Sequence, residues 1–144
     1  LYFFWLESAE FFQRAAIAIR GKIDDLEIDA PWKFALLGLF YSLIHSLLEE
    51  YYWRWFVFGQ LRRVAPLSTA IVVSSLGFMA HHVIVLADFF GAVSPITWLF
   101  SAAIAVGGAF WAWLYHRSGS LLGPWMGHLL VDAAIFAIGY EIAF

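Results

Sequence analysis

Two long windows of this chain hold no charged side chain: neither Ala65 to Ala87 nor Phe89 to His116 contains Asp, Glu, Lys or Arg. An apolar run of ~18 or more residues is long enough to cross the roughly 30 Å hydrocarbon core of a bilayer at about 1.5 Å per residue. Lipid offers no water to backbone polar groups, so each run is predicted to be a helix that closes its own hydrogen bonds. Composition agrees. The chain is 63% hydrophobic and 13% charged, against roughly 45–50% and about 25% for soluble domains. This excludes a disordered, a fibrous or an ordinary soluble chain. A net charge of −3 with no basic run excludes a nucleic-acid footprint. The absence of cysteine removes disulfides, thiolate metal sites and thiol catalysis.

Four spans are expected. The first opens near Pro31–Trp32 and runs through Glu49 toward Phe58. The second is about Pro66–Ala87, the third about Pro95–Tyr115, and the fourth starts near Gly123–Pro124. The connections are then the basic Gly59–Arg63, the short Asp88–Ser94 and a tight turn at His116–Gly119. Glu7, Glu10 and Arg14 make a polar stripe on an aromatic stretch over residues 1–19. That stretch is an interfacial helix or a truncated earlier span. Residues 20–30 are polar and acidic and read as a linker. The expected fold class is therefore an all-α polytopic membrane bundle of about four transmembrane helices plus an N-terminal helix. Its division is 1–31 (amphipathic helix and linker) and 32–144 (helical core). A chain opening on Leu1 is expected to lack its natural N-terminus, and missing helices or a homo-oligomer are expected to complete the bundle. Arg62, Arg63 and Arg117 share one side and favour it as the cytoplasmic face of the cell's inner (plasma) membrane. Arg20, Lys22 and Lys33 on the other side weaken that orientation.

Ionisable groups inside spans are the informative ones, because each costs about 2.5–3.5 kcal/mol to insert at a helix centre. They are Glu49, Glu50 and Arg54 on span one, His81 and His82 on span two, and His128 and Asp132 on span four. Glu50 and Arg54, at i and i+4, can pair on one helix face. Glu49 is turned by one residue and is left without an arginine. His128 and Asp132 are also i and i+4, so the acid can orient the ring. One free carboxylate, two histidines and a further acid match a metal-assisted hydrolase. Zinc takes His and carboxylate ligands and keeps a place for water, whose proton a nearby Glu removes. The one-helix string H-E-x-x-H is absent, so the groups must converge from three helices. Counted from Phe58, Pro66 and Gly123, Glu49, His82 and His128 lie roughly 14, 24 and 8 Å deep. That spread is wide for a single site.

These motifs resemble the CAAX-protease and bacteriocin-processing intramembrane proteases, which include the type II CAAX prenyl endopeptidases. E-E-x-x-x-R is Glu49-Glu50-Tyr51-Tyr52-Trp53-Arg54, F-x-x-x-H is Phe78 to His82, and H-x-x-x-N/D is His128 to Asp132. The register selects His82 over His81. The approach from Arg117 through Gly119 to Pro124 is also similar to the family's lead into its last motif. The resemblance covers about residues 32–140. It implies intramembrane hydrolysis of a peptide bond in a membrane-held, possibly prenylated substrate. Glu49 would activate water, and His82 and His128 would hold a metal, zinc by ligand type, or polarise the water. Asp132 would orient His128 or help build an oxyanion site, and Glu50–Arg54 would be a structural ion pair. Asp132 stands where the CAAX proteases carry Asn, and an ionised carboxylate, unlike an amide, cannot donate to an oxyanion.

Other residues read more plainly. His45 and His81 lie outside the motifs and are expected to be structural, although His45 is one turn from Glu49. His116 is expected to be solvated. Gly123 and Gly127 form G-x-x-x-G, a helix-packing pattern. The alternatives to an endopeptidase are a non-catalytic bacteriocin-immunity or scaffold protein, a proton or ion carrier using the same buried groups, and a haem bundle through His82 and His128.

Overall fold

The computed structural model describes residues 10–144. The polar stripe expected from Glu7, Glu10 and Arg14 lies outside the described side chains. Among the described residues there is no strand, and the helical elements are α1 (Glu10–Asp25), α2 (Pro31–Val64), α3 (Leu67–Phe90), α4 (Pro95–Ser118) and α5 (Leu122–Ala143). The last four are each long and apolar enough to cross a membrane. The fold is the all-α polytopic bundle.

Every span but the last runs past its expected end. Gly59–Arg63, read as a basic connection, lies in the final part of α2, the helical stretch Gly59–Val64. Leu61 packs with Phe58, Ala70 and Ala112, which holds those turns helical. Arg62 Nη1 then donates to Ala65 O at 2.8 Å, and Pro66 forbids continuation, because the residue before a proline avoids α geometry. α3 continues through Asp88 to Phe90 and stops at Gly91, whose φ of 88° suits only glycine well. α4 keeps His116 and Arg117 in its last turn, where positive charge complements the helix dipole, and ends at left-handed Gly119. At its start, Pro95 occupies the first turn and Ser94 Oγ accepts from Ile96 N–H.

α2 is not a uniform α-helix. Tyr41–His45 and Tyr51–Phe58 are π-helical, and the Ser46 N–H reaches back to Tyr41 O. The consequence is a buried stripe with a period of four: Phe34, Gly38, Ser42, Ser46, Glu50, Arg54 and Phe58. In an ideal α-helix each four-residue step overshoots a full turn by about 40°, so this stripe would wander roughly 240° around the axis. The wider i→i+5 turns absorb the overshoot. One face of α2 therefore meets the bundle along its whole length.

The interior is more polar than the exterior. Ser42, Ser46, Glu50, Arg54, Ser74, Ser75, Thr97, Ser101 and His128 are buried, while Leu39, Ile44, Val72, Val106, Phe110 and Ile135 are exposed. A bundle solvated by lipid has this arrangement, since apolar side chains lose nothing by facing acyl chains. α3 and α4 form an antiparallel hairpin with a seam of small buried residues: Ala70, Ser74 and Ser75 against Thr97, Ser101, Gly108 and Ala112. α5 docks on α4 through Gly123 and Gly127. A Cβ at Gly123 would lie 3.0 Å from Leu114, and one at Gly127 would lie 2.7 Å from Trp111 Nε1.

α1 continues through residues 20–25, which composition reads as linker. It lies across the end of the bundle away from Arg62, Arg63 and Arg117. Arg20 Nε donates to Ile142 O at 3.1 Å, and Lys22 pairs with Asp88 at 2.7 Å. The hydrogen bond to Asp88, with its charge, holds the Lys22 ammonium above the usual lysine range.

Candidate active site

Glu49 and Glu50 stand between the two π-helical segments of α2. Being consecutive, they point in different directions, and each meets a different set of partners.

Glu50 faces the bundle axis and is 0% exposed. Its Oε2 lies 3.0 Å from Arg54 Nε. The guanidinium is 2% exposed and sits 4.3 Å from the centre of the Phe78 ring and 5.2 Å from that of Trp111. Its charge is thus balanced by one carboxylate and two aromatic faces. The ion pair expected from the i, i+4 spacing is present. Glu50 does a second thing that spacing does not reveal: its Oε1 accepts from His128 Nδ1 at 2.8 Å.

Glu49 faces the side where the histidines gather. Its Oε1 is 2.8 Å from His81 Nε2, and its Oε2 is 3.5 Å from His128 Nε2 and 3.9 Å from His45 Nδ1. No arginine or lysine pairs with it among the described residues. His82 donates Nδ1–H to Phe78 O at 2.9 Å, which leaves Nε2 as its free nitrogen. The His81 and His82 rings are 4.0 Å apart, centre to centre. Asp132 Oδ1 lies 3.7 Å from His128 Nε2, beyond hydrogen-bond range.

The depth spread expected between Glu49 and His82 disappears because α2 is longer than its apolar run. Counted from Val64 and Leu67, each is fifteen residues in, or about 22 Å. His128 joins them through the side chains of Glu49 and Glu50.

A family model described as type II CAAX prenyl endopeptidase Rce1-like matches residues 31–134. The chain belongs to the Rce1-like type II CAAX prenyl endopeptidase family. Comparison with curated proteins and with solved structures returns no match. The matched stretch contains Glu49, Glu50, Arg54, His82, His128 and Asp132, and the bundle brings Glu49, Glu50, His128 and Asp132 within 4 Å contacts of one another through the His128 ring.

Aromatic rings fix the histidines in this Rce1-like site. Trp111 stacks on His128 (4.6 Å, 18°) and Trp53 lies parallel to His81 (5.6 Å, 4°). Phe78 touches His81, His82 and His128 by its edges and faces. Gly77 makes room for Trp53, since a Cβ there would lie 2.7 Å from the indole, and Gly127 does the same for Trp111.

Two features differ from the sequence expectation. Glu50, rather than Asp132, makes the hydrogen bond that orients His128. His81, expected to be structural, is the imidazole hydrogen-bonded to Glu49. The available signal was a histidine doublet in a span that holds no charge, where each extra polar ring needs a partner. As for a metal, Glu49, His81 and His82 each offer a ligand atom, all within 4.8 Å of one another. His128 is outside that group.

Proposed function

We propose that this chain is an intramembrane endopeptidase that hydrolyses a peptide bond with water activated by Glu49. The observation that carries this reading is Glu49 itself: a carboxylate deep in a membrane bundle, 13% exposed, without a cationic side chain, held between two imidazoles. A structural carboxylate at this depth is expected to be ion-paired, as Glu50 is.

In this mechanism a water sits beside Glu49 Oε2 and His128 Nε2. Glu49 takes its proton as the oxygen attacks the scissile carbonyl carbon, and later passes the proton to the leaving amine. Glu50 keeps the His128 ring turned so that Nε2 faces the reacting centre. With Nδ1–H given to Glu50, Nε2 of the neutral ring carries a lone pair, so it accepts a hydrogen bond from the attacking water and holds it against the scissile carbonyl. Asp132, beside the same nitrogen, positions the ring or the substrate rather than donating as a carboxylate. Zinc is the proposed cofactor by donor chemistry, since His and Glu nitrogen and oxygen atoms suit it. A zinc ion held there would supply Lewis acidity to the reaction. His82, with Nδ1–H fixed on a backbone carbonyl, is oriented to offer Nε2 to it.

The substrate class is a membrane-held peptide of the CAAX or bacteriocin-precursor kind. The membrane is the cell's inner membrane, with the Arg62, Arg63 and Arg117 end in the cytoplasm. The test is cleavage of a farnesylated CAAX peptide and of an unprenylated membrane-anchored peptide by the full chain in liposomes. Glu49→Gln is expected to lower the rate by about 10²–10⁴-fold, the usual worth of a general base. Undiminished cleavage by that variant refutes the base. Ion flux that survives metal chelation, with no proteolysis, would instead identify a carrier.

A further inference from the structure

We propose that this chain holds a divalent cation between Glu49, His81 and His82, with His81, the histidine outside the family motifs, as a direct ligand. This rests on the hydrolase reading above only in sharing Glu49 with it. The ligand atoms of these three residues already lie within 4.8 Å of one another. Bonds of about 2.0–2.2 Å in a tetrahedron bring ligand atoms to roughly 3–4 Å, so small side-chain rotations suffice. Two imidazoles and one carboxylate are a donor set that leaves a fourth position for water or a carbonyl oxygen.

The three ligands are oriented to different degrees. His82 has its Nδ1–H bonded to Phe78 O, the outer contact that fixes a ligating tautomer. His81 has Nε2–H turned to Glu49 and its ring plane held parallel to Trp53, while its Nδ1 is buried without a partner among the described residues, so binding would move the ring proton from Nε2 to Nδ1. Glu49 has two oxygens on two sides. Oε1 faces His81, and Oε2 faces His128. The cation would take the Oε1 side, which leaves Oε2 beside His128 for the water proton. His128 is the weaker ligand candidate, because Glu50 holds Nδ1 and Trp111 covers the ring.

Charge supports the same site. Among the described residues, Glu49, Glu50 and Asp132 face only Arg54 as a permanent cation in this part of the bundle, a formal balance of −2 with imidazoles neutral. In lipid such an excess is costly, and one divalent cation cancels it.

The experiment uses the purified full chain in detergent micelles with Co²⁺ as the probe, followed by its ligand-field absorption and by equilibrium dialysis. Wild type is expected to bind one equivalent. H81A is expected to weaken binding by more than about 100-fold, the upper end for loss of an outer partner of a ligand. H128A is expected to bind within about 100-fold of wild type, since loss of a partner outside the metal's own ligands costs about 10–100-fold. Zn²⁺ protection from diethylpyrocarbonate, mapped by mass spectrometry on the unmutated chain, gives a reading free of folding effects. His81 and His82 should be protected. Protection of His128 in place of His81, loss of metal in H128A but not in H81A, or no bound Co²⁺ in wild type each overturns the proposal. Cleavage by a wild type that binds no Co²⁺ overturns this site and leaves Glu49 as the base. Normal metal binding with no cleavage by wild type does the reverse.

Discussion

Replacing Arg54 with methionine isolates what the buried ion pair does. The substitution keeps an unbranched stem that reaches the Nε position but removes the guanidinium charge, leaving Glu50 wholly buried with its Oε2 unpaired. Breaking a buried pair by deleting one partner costs about 3–5 kcal/mol. Lost attraction to the Phe78 and Trp111 rings adds about 0.5–2 kcal/mol. Glu50→Gln in the same chain removes the stranded charge and keeps an acceptor for His128 Nδ1–H. E50Q/R54M should therefore regain most of the stability and retain cleavage. E50L/R54M should regain the stability too, but it leaves the His128 ring without its anchor. A small misplacement of a reacting group can cost about 10²-fold in rate. Reversible unfolding in micelles, followed by tryptophan fluorescence, measures the first effect, and peptide cleavage measures the second. An R54M chain within about 1 kcal/mol of wild type, roughly the worth of an exposed pair, refutes the buried-charge account of Arg54. Equal cleavage by the two double variants refutes the role of Glu50 in holding His128.

Other outcomes follow from the same contacts. Gly127→Ala puts a methyl 2.7 Å from Trp111 Nε1, so it should destabilise by about 1–3 kcal/mol and slow cleavage by displacing the ring under His128; unchanged unfolding and rate would count against Trp111 as a support. Gly77→Ala should act likewise through Trp53 and His81, and should weaken Co²⁺ binding more than Gly127→Ala does. Asp132→Asn supplies an amide donor beside His128 Nε2 and should raise the cleavage rate; a fall would remove position 132 from the oxyanion side. Lys22→Ala breaks an exposed contact with Asp88, and the unfolding midpoint should not move.

The spans and the motif residues could be read from the chain because both are written in short periods: long uncharged runs, and acids and histidines at i, i+4 spacing. The end of α2 could not, since Gly59 and Arg62 resemble a loop until Leu61 is seen packing on Ala70 and Ala112. The F-x-x-x-H register picks one of two adjacent histidines, whereas the fold brings both rings to Glu49. The second partner of Glu50 was hidden for a different reason: residues 50 and 128 are far apart in the chain, and only packing of α5 beside α2 joins them.

The four-residue stripe of α2 decides which changes of length this helix can take. A single residue dropped from Tyr41–His45 lets that widened turn relax into ordinary α winding. Gly38 and Ser46 are then separated by about 700° of winding, close to the two full turns the stripe places between them, so Phe34 and Gly38 stay beside Phe136 and Gly139. The same deletion in an α-wound turn has no overshoot to give back and swings everything upstream by about 100°. Length variation among functional homologues should therefore collect in the turns between helices and, inside α2, at its widened turns.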